Sequence, residues 1–362
     1  MKKKKNIRAI CTVSMMMALL VIFAPNFSIK AAAQADVTVT DYGAFPDDML
    51  DDTKCINDAI AAVGQTGGGI VRIPAGRYYV TASRAINEGI CMWSNVKLLM
   101  SPNTILQVMP NELDTYHVIN VCGVRNVDIV GGQIHGERDR HMGALGEYGM
   151  GIRVRDSHKV LIQNMTIQDN WGDGIYLGTI NDFDENNGAS KVTIKNCTIQ
   201  NNRRNNITIA DANNVTIDGC TIKKANGIAP QCGIDIEPNV RDGGYIQDNQ
   251  VCRNIKIKNT KITCMSSGNT QGEYFALMII NNWFAIGKNK TVAKNVKIED
   301  CTFGGDVGNY SGENVAMKRV SVKGSFIYKR KTRLINCKIN KKEKWNGSIR
   351  LSDIMTVRNM CP

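Results

Sequence analysis

Val160-Leu161-Ile162-Gln163-Asn164-Met165-Thr166-Ile167 is the stretch whose reading decides the fold. Its first three residues are apolar at the outer positions, and in the repeats of this triplet the middle residue is usually polar, which is the alternation of a short, half-buried strand. A turn-tolerant Asn follows, then a second apolar pair. The first part recurs as Val96-Lys97-Leu98, Val127-Asp128-Ile129, Val192-Thr193-Ile194, Val215-Thr216-Ile217, Ile255-Lys256-Ile257, Val296-Lys297-Ile298 and Val320-Ser321-Val322. The starts fall between about 23 and about 41 residues apart, the range in which one supersecondary unit stacks on the next. Asn196-Cys197-Thr198-Ile199, Gly219-Cys220-Thr221-Ile222, Asn259-Thr260-Lys261-Ile262, Asp300-Cys301-Thr302-Phe303 and Asn336-Cys337-Lys338-Ile339 repeat the second part. Asn, Gly and Asp tolerate the left-handed backbone that a tight turn between two strands of one coil requires. These observations predict an all-β, single-stranded, right-handed parallel β-helix, in which coil length varies while strand register is kept.

The residue after each turn is small. Stacking would place Cys197 near Cys220 in an internal ladder of small side chains. Of the 12 cysteines, Cys11 lies in the leader described next, and the odd remainder leaves at least one thiol free. With no close C-x-x-C pair and a core large enough to need no staples, buried thiols are expected rather than disulfides or metal ligands.

Residues 1–35 read as a secretory signal peptide. Lys2 to Lys5 and Arg8 precede the apolar run Ala9 to Ala24, and Ala33-Gln34-Ala35 gives a small-residue cleavage pattern. The run is short for a membrane span, so no span is expected in residues 36–362, the β-helix domain, and the expected destination is outside the cell or the periplasm. About half of the formal net charge of +12 leaves with this leader. Much of the rest lies between Lys318 and Lys344, where Glu343 is the only acid. A basic stretch of this kind is compatible with a solvated face, and aromatic residues are too sparse there for a nucleic-acid platform.

An amphipathic helix is expected after Asp51 or Asp52 as cap, with Cys55 or Ile56, Ala59, Ile60 and Val63 on one face, to close the unpaired end of the solenoid. Val39-Thr40-Asp41-Tyr42-Gly43-Ala44-Phe45-Pro46-Asp47-Asp48, Asp51-Asp52-Thr53 and Gly67-Gly68-Gly69-Ile70-Val71-Arg72-Ile73-Pro74-Ala75-Gly76-Arg77-Tyr78 frame that helix. This opening resembles the pectate-lyase superfamily of β-helix proteins, and within it the domain shared by rhamnogalacturonases and polysaccharide epimerases. The resemblance implies the fold and a polysaccharide partner. It does not imply one reaction, because hydrolases, lyases, epimerases and phage tailspikes share the opening. The acids from Asp47 to Asp52 are read as structural.

Four segments align on an inward isoleucine: Gly151-Ile152-Arg153-Val154-Arg155, Gly174-Ile175-Tyr176-Leu177-Gly178, Asn206-Ile207-Thr208-Ile209-Ala210 and Gly233-Ile234-Asp235-Ile236-Glu237. Alternation then turns Arg153, Tyr176, Thr208 and Asp235 outward in one row, and Arg155, Gly178, Ala210 and Glu237 in the next. Small residues at Gly178 and Ala210 predict a groove floor between Arg155 and Glu237. Asp173, Arg203 and Arg204 lie in the turns leading in, and His135, His141, Glu147 and Tyr148 arrive from the preceding coil. Asp173, Arg204, Asp235, Glu237 and Tyr176 are the expected catalytic residues; Arg153, Arg155, Arg203, Glu147, Tyr148 and His141 are expected to bind substrate.

On an acidic polysaccharide, arginines would neutralise a uronate carboxylate and a base would take the adjacent proton, giving β-elimination. That reading is placed slightly ahead of hydrolysis, in which Asp173 would pair with Asp235 or Glu237. A non-catalytic carbohydrate-binding surface, or a simple outer ladder of ion pairs, would use the same residues. Calcium is conceivable at Asp235 and Glu237, although two acids make a weak site. The Asp-Asp pair, Gly-His-Gly and Arg-Ile-Lys of polygalacturonase-type hydrolases are missing, as is the Asp-Pro-His of alginate epimerases. The resemblance therefore carries over no mechanism.

Overall fold

The computed structural model describes residues 35–81, 88–180, 188–228, 230–239, 250–263, 275–280 and 291–344. These all belong to the compact unit Gln34–Pro362, while residues 1–34 of the expected leader lie outside the described residues. The chain winds as a parallel β-helix. One coil runs through the strand His158–Gln163, a turn at Asn164, the strand Thr166–Gln168, a corner at Asp169–Gly174 and the strand Ile175–Gly178. The next coil starts at Ala189–Lys195 and pairs in register, Val160 on Val192 and Ile162 on Ile194. Among the described residues, eleven strands stack this way on the first face, in sequence order.

The turn chemistry is as the sequence predicts. Asn164, Asn196, Gly219, Asn259, Asp300 and Asn336 have φ of 57°, 52°, 67°, 50°, 55° and 51°. A second series at Asn95, Asn126, Asn214, Asn254, Asn295 and Asn314 is also left-handed. Several of its side-chain amides bond from coil to coil, as in Asn295 Nδ2 to Asn254 Oδ1 (3.0 Å) and Asn314 Nδ2 to Asn295 Oδ1 (2.7 Å). Left-handed backbone is thus supplied by a residue that tolerates it and also bonds its neighbour.

The core is the stacked inner rows, among them Val160, Val192, Val215 and Ile255 on the first face and Ile152, Ile175, Ile207 and Ile234 on the third, all buried. Met165, Cys197, Cys220 and Cys301 are buried in the expected ladder, and the nine described cysteines are free thiols. One repeat differs from expectation. Val296 pairs with Val315, so Val315-Ala316-Met317 is the first strand of its coil, and Val320-Ser321-Val322 opens the second. Ala316 at the middle position hides the apolar–polar alternation there.

The helix Thr53–Gln65 buries Ile56, Ala59, Ile60 and Val63 and joins the core of the first coils. Asp51 accepts the Thr53 N–H (3.0 Å), whereas buried Asp52 accepts Phe45 N (3.1 Å) and Tyr79 N (2.9 Å). Burial pushes the Asp52 carboxyl up to about 6. Among the described residues no helix is long and apolar enough to cross a membrane. If the left-handed turns set the register, Asn164→Gly will leave the urea midpoint nearly unchanged. Asn164→Val, which forces a β-branched residue into that region, will cost about 1–3 kcal/mol in the same unfolding titration.

Candidate functional site

The third face carries the strands Tyr148–Arg155, Ile175–Gly178, Ile207–Ile209 and Ile234–Ile236. Their register is the one expected: Arg153 beside Tyr176, Tyr176 beside Thr208, and Thr208 beside Asp235. The corners leading into it are also stacked. Arg203 N bonds Asn170 O, Arg204 N bonds Gly172 O, and Gly174 N bonds Asn205 O. Residues 170–174 therefore lie coil-on-coil with 202–206, which sets Trp171 by Arg203 and Asp173 by Asn205. Buried Asn170, Asn202 and Asn206 continue the corner inward as an amide ladder, Asn170 Nδ2 to Asn202 Oδ1 at 2.8 Å and Asn202 Nδ2 to Asn206 Oδ1 at 2.7 Å.

Acids converge on one arginine at this corner. Asp173, fully buried, accepts from Arg204 Nη1 (2.9 Å), Thr208 Oγ1 (2.7 Å) and Asn205 N (2.9 Å). Glu147 Oε2 lies 3.4 Å from Arg204 Nε on the opposite side. Asn205 Nδ2 reaches both Thr208 Oγ1 (3.0 Å) and Asp235 Oδ2 (3.3 Å), tying Asp235 to the group. Burial raises the Asp173 carboxyl, against the pull of Arg204, Thr208 and the Asn205 N–H. Asp235 is held well above the ordinary range by burial and then by the charge of Glu237. Glu237 is raised by burial but drawn back by Arg204 and by a hydrogen bond from Asp235. Asp235 and Glu237 are thus a carboxylic acid and a carboxylate two residues apart on one strand face, titrating as a pair. Burial disfavours the charge on Arg204, but Asp173, Glu147, Asp235 and Glu237 outweigh it, and the guanidinium stays protonated.

The second outward row differs from the expected open floor. The Tyr176 ring folds over Gly178, where a Cβ would stand 2.5 Å from its Cε1, and packs with Met150 and Ala210. Its hydroxyl accepts from Asn239 Nδ2 at 3.0 Å. The space between Arg155 and Glu237 is filled by a ring, and Tyr176, Thr208 and Asp235 are all buried. Arg153 lies over that ring, 5.7 Å from its centroid, and bonds His117. Burial, then the charges of Arg153 and Arg155, hold the His117 imidazole well below its usual value, so it is neutral.

Two residues expected to touch substrate are placed elsewhere. His141 has a fully buried side chain that bonds Glu137 (2.9 Å) and stacks on Trp171 at 3.9 Å. Arg203 lies on the other face of Trp171, 3.5 Å from the ring centroid, and donates to the Gly146 carbonyl (3.0 Å). His135 bonds Gln133 (3.0 Å) rather than the carboxyl group. Tyr148 is exposed at the mouth, and Glu147 reaches the corner because Gly172 has no Cβ, which would otherwise stand 2.5 Å from the Glu147 carbonyl oxygen. Asn205, Tyr116, Glu137 and Trp171 were not singled out from sequence. Calcium takes about six to eight oxygen ligands. Here a guanidinium occupies the centre of the acids, and among the described residues no group of three or more His, Cys, Asp or Glu could hold a metal ion. The residues do not fit calcium.

The sequence matches the family described as "Right handed beta helix region" over residues 78–237, and "Rhamnogalacturonase A/epimerase, pectate lyase-like" over residues 37–98. The chain is a right-handed parallel β-helix protein, and its opening, residues 37–98, is similar to the pectate-lyase-like family. An uncharacterised Bacillus subtilis protein, YclG, is 31% identical over 272 residues, 69% of this chain and 46% of its own length. This β-helix protein thus spans less than half of that relative. Among solved structures, a 1,3-alpha-1,4-beta-D-galactose-4-sulfate-3,6-anhydro-D-galactose-2-sulfate 4 galactohydrolase superposes with a TM-score of 0.64 at 15% identity, covering 88% of this chain and 92% of that one. The A-module of the Azotobacter vinelandii mannuronan C-5 epimerase AlgE4 gives 0.52 at 14% identity, covering 86% and 92%. Both share the fold.

The raised Asp235 carboxyl has a consequence for stability. A carboxyl whose folded pKa exceeds its unfolded value stabilises the fold below the unfolded pKa, and that contribution is lost as pH rises through the folded value. The melting temperature should therefore fall as pH is raised from about 4, the unfolded value, through neutrality. Asp235→Asn should flatten that fall; parallel profiles for the two proteins would contradict the assignment. Asp173→Ala, which strands the Arg204 charge, should instead cost about 3–5 kcal/mol at neutral pH in chemical unfolding.

Proposed function

We propose that this chain is a secreted enzyme that cleaves an anionic polysaccharide by hydrolysing its glycosidic bonds. The observation that carries the reading is the set of carboxyl groups converging on Arg204, in which burial and the charge of Glu237 keep the proton on Asp235 while Arg204 draws Glu237 back toward the carboxylate form. Hydrolysis needs that division: an acid to protonate the glycosidic oxygen and a carboxylate to activate water. Asp173 and Asp235 are fully buried, so the groups able to meet a polymer are the half-buried Glu237 and Glu147. Glu237 is assigned as the group that delivers a proton to the glycosidic oxygen, drawing that proton across the hydrogen bond from Asp235. Glu147, 3.4 Å from the Arg204 guanidinium, is assigned as the base that takes a proton from water as its oxygen attacks the anomeric carbon.

β-Elimination draws less support. Among the arginines expected to clamp a uronate, Arg204 carries Asp173 and Glu147, and Arg203 is spread on Trp171. The Tyr148 phenol, a candidate base, is raised by burial and by Glu147, which weakens it for proton abstraction at neutral pH. An anionic polymer is supported by the positive charges of Arg153 and Arg155 on the same face. It is also supported by the names of the two solved relatives, one acting on a sulfated galactan and the other on mannuronan. Export is supported by the leader pattern of residues 1–35.

Sulfated galactans, alginate, pectate and rhamnogalacturonan should be screened for new reducing ends and for the ultraviolet absorbance of unsaturated uronates. Reducing ends without that absorbance are expected. Glu237→Gln and Glu147→Gln should each lower kcat by about 10²–10⁴-fold, the usual weight of a general acid or base. Products carrying the absorbance would replace hydrolysis with elimination, and binding without cleavage would make the face a carbohydrate-binding surface.

A further inference from the structure

Segment 136–147, between the strands Gln133–His135 and Tyr148–Arg155, ends at Glu147 and is longer than the corner at 169–174 or at 201–206. It is held by a stack of side chains outside the carboxyl group. Arg203, Trp171 and His141 lie face on face, and the Tyr116 ring continues the series 6.4 Å beyond His141 at an interplanar angle of 16°. Glu137, with no side-chain exposure, receives hydrogen bonds from both Tyr116 and His141 on the same oxygen. The stack therefore joins the start of the segment (Glu137), its middle (His141) and its end (Gly146, through Arg203) to the corner that holds Arg204. Arg203 and Arg204 are neighbours on that corner, one in the stack and one among the carboxylates.

We infer that this stack is a positioning device for catalysis: Trp171 and His141, without touching substrate, set Glu147 against Arg204. The inference rests on the assignment of Glu147 as a reacting group. The links of Trp171 to Arg203 and His141, and of His141 to Glu137, are short and directional. A cation against an indole face contributes about 0.5–2 kcal/mol, and Arg203 and Trp171 are both partly buried. A buried Glu137 oxygen with two donors fixes the turn of the chain in a way an exposed pair would not. Misplacing a reacting group by about 1 Å can cost about 100-fold in rate, so a stack remote from the bond broken is able to govern turnover.

The test is a double-mutant cycle on the full chain with hydrogen exchange as a second readout. Trp171→Ala should lower kcat by a factor close to that of Glu147→Gln, with KM little changed, while Trp171→Phe recovers most of the loss. The double variant should be no slower than the slower single variant, because both substitutions disable one group. In Trp171→Ala, amides of 142–148 should exchange faster while the strands His158–Gln163 and Ala189–Lys195 keep their protection. Unchanged exchange at 142–148, or additive losses of kcat, would overturn the positioning role. If Glu147→Gln instead keeps full activity while exchange rises as expected, the catalytic assignment of Glu147 fails, and the stack remains a structural clasp without a catalytic role.

Discussion

Parallel stacking in exact register is the constraint on which everything else in this protein depends. Each strand's N–H and C=O groups are satisfied by the coils on either side, about 4.8 Å away, so a side chain at one outward position is fixed beside its equivalents in the neighbouring coils. Sequence separations of about 30 residues thereby become contacts. Asp173 meets Asn205 and Thr208, and Asn205 meets Asp235, only because their coils cannot slip: a slip of one residue would turn Ile175, Ile207 and Ile234 out of the core. The left-handed turns at Asn164 and Asn196 matter for the same reason, since they return the chain to the same height on every coil.

Stacking also concentrates charge in a way that no isolated strand would tolerate. Asp235 and Glu237 project from the same face of one strand, with Asp173 close enough to raise both. Water is largely excluded, and a proton is retained because two adjacent carboxylates cannot both ionise there at low cost. Arg204 keeps the set from being wholly repulsive, and its partners Asp173 and Glu147 come from different coils. Packing and pKa therefore share one cause, the fixed register.

The parts of this arrangement that are periodic were legible in the sequence. The isoleucine alignment predicted the pairing of Arg153, Tyr176, Thr208 and Asp235 correctly, and the Asn, Gly and Asp turn positions fell where left-handed backbone is found. What was not legible depends on side-chain direction within a turn or on a ring's choice of neighbour. Tyr176 lies down on Gly178 instead of standing out, so the small residue that suggested an open floor is what allows the floor to be filled. His141 and Arg203 read as ligands for a polymer, yet Trp171 takes a face of each. The available signal was the large aromatic Trp171 in a corner whose stacked equivalent is Arg203. Val320-Ser321-Val322 misled for the opposite reason, being periodic in sequence but belonging to the second strand of its coil.

In the proposed function the polymer lies across the third face and is cut beside Glu237. A crystal structure of the Glu237→Gln variant soaked with an oligosaccharide of the cleaved polymer tests it most directly. Sugar rings are expected to cross the strands Tyr148–Arg155, Ile175–Gly178, Ile207–Ile209 and Ile234–Ile236, with a glycosidic oxygen in hydrogen-bond reach of residue 237 and a water held by Glu147. An oligosaccharide bound on the first face, or on the lysine-rich strand Lys338–Lys344, with the carboxyl group untouched, would contradict it.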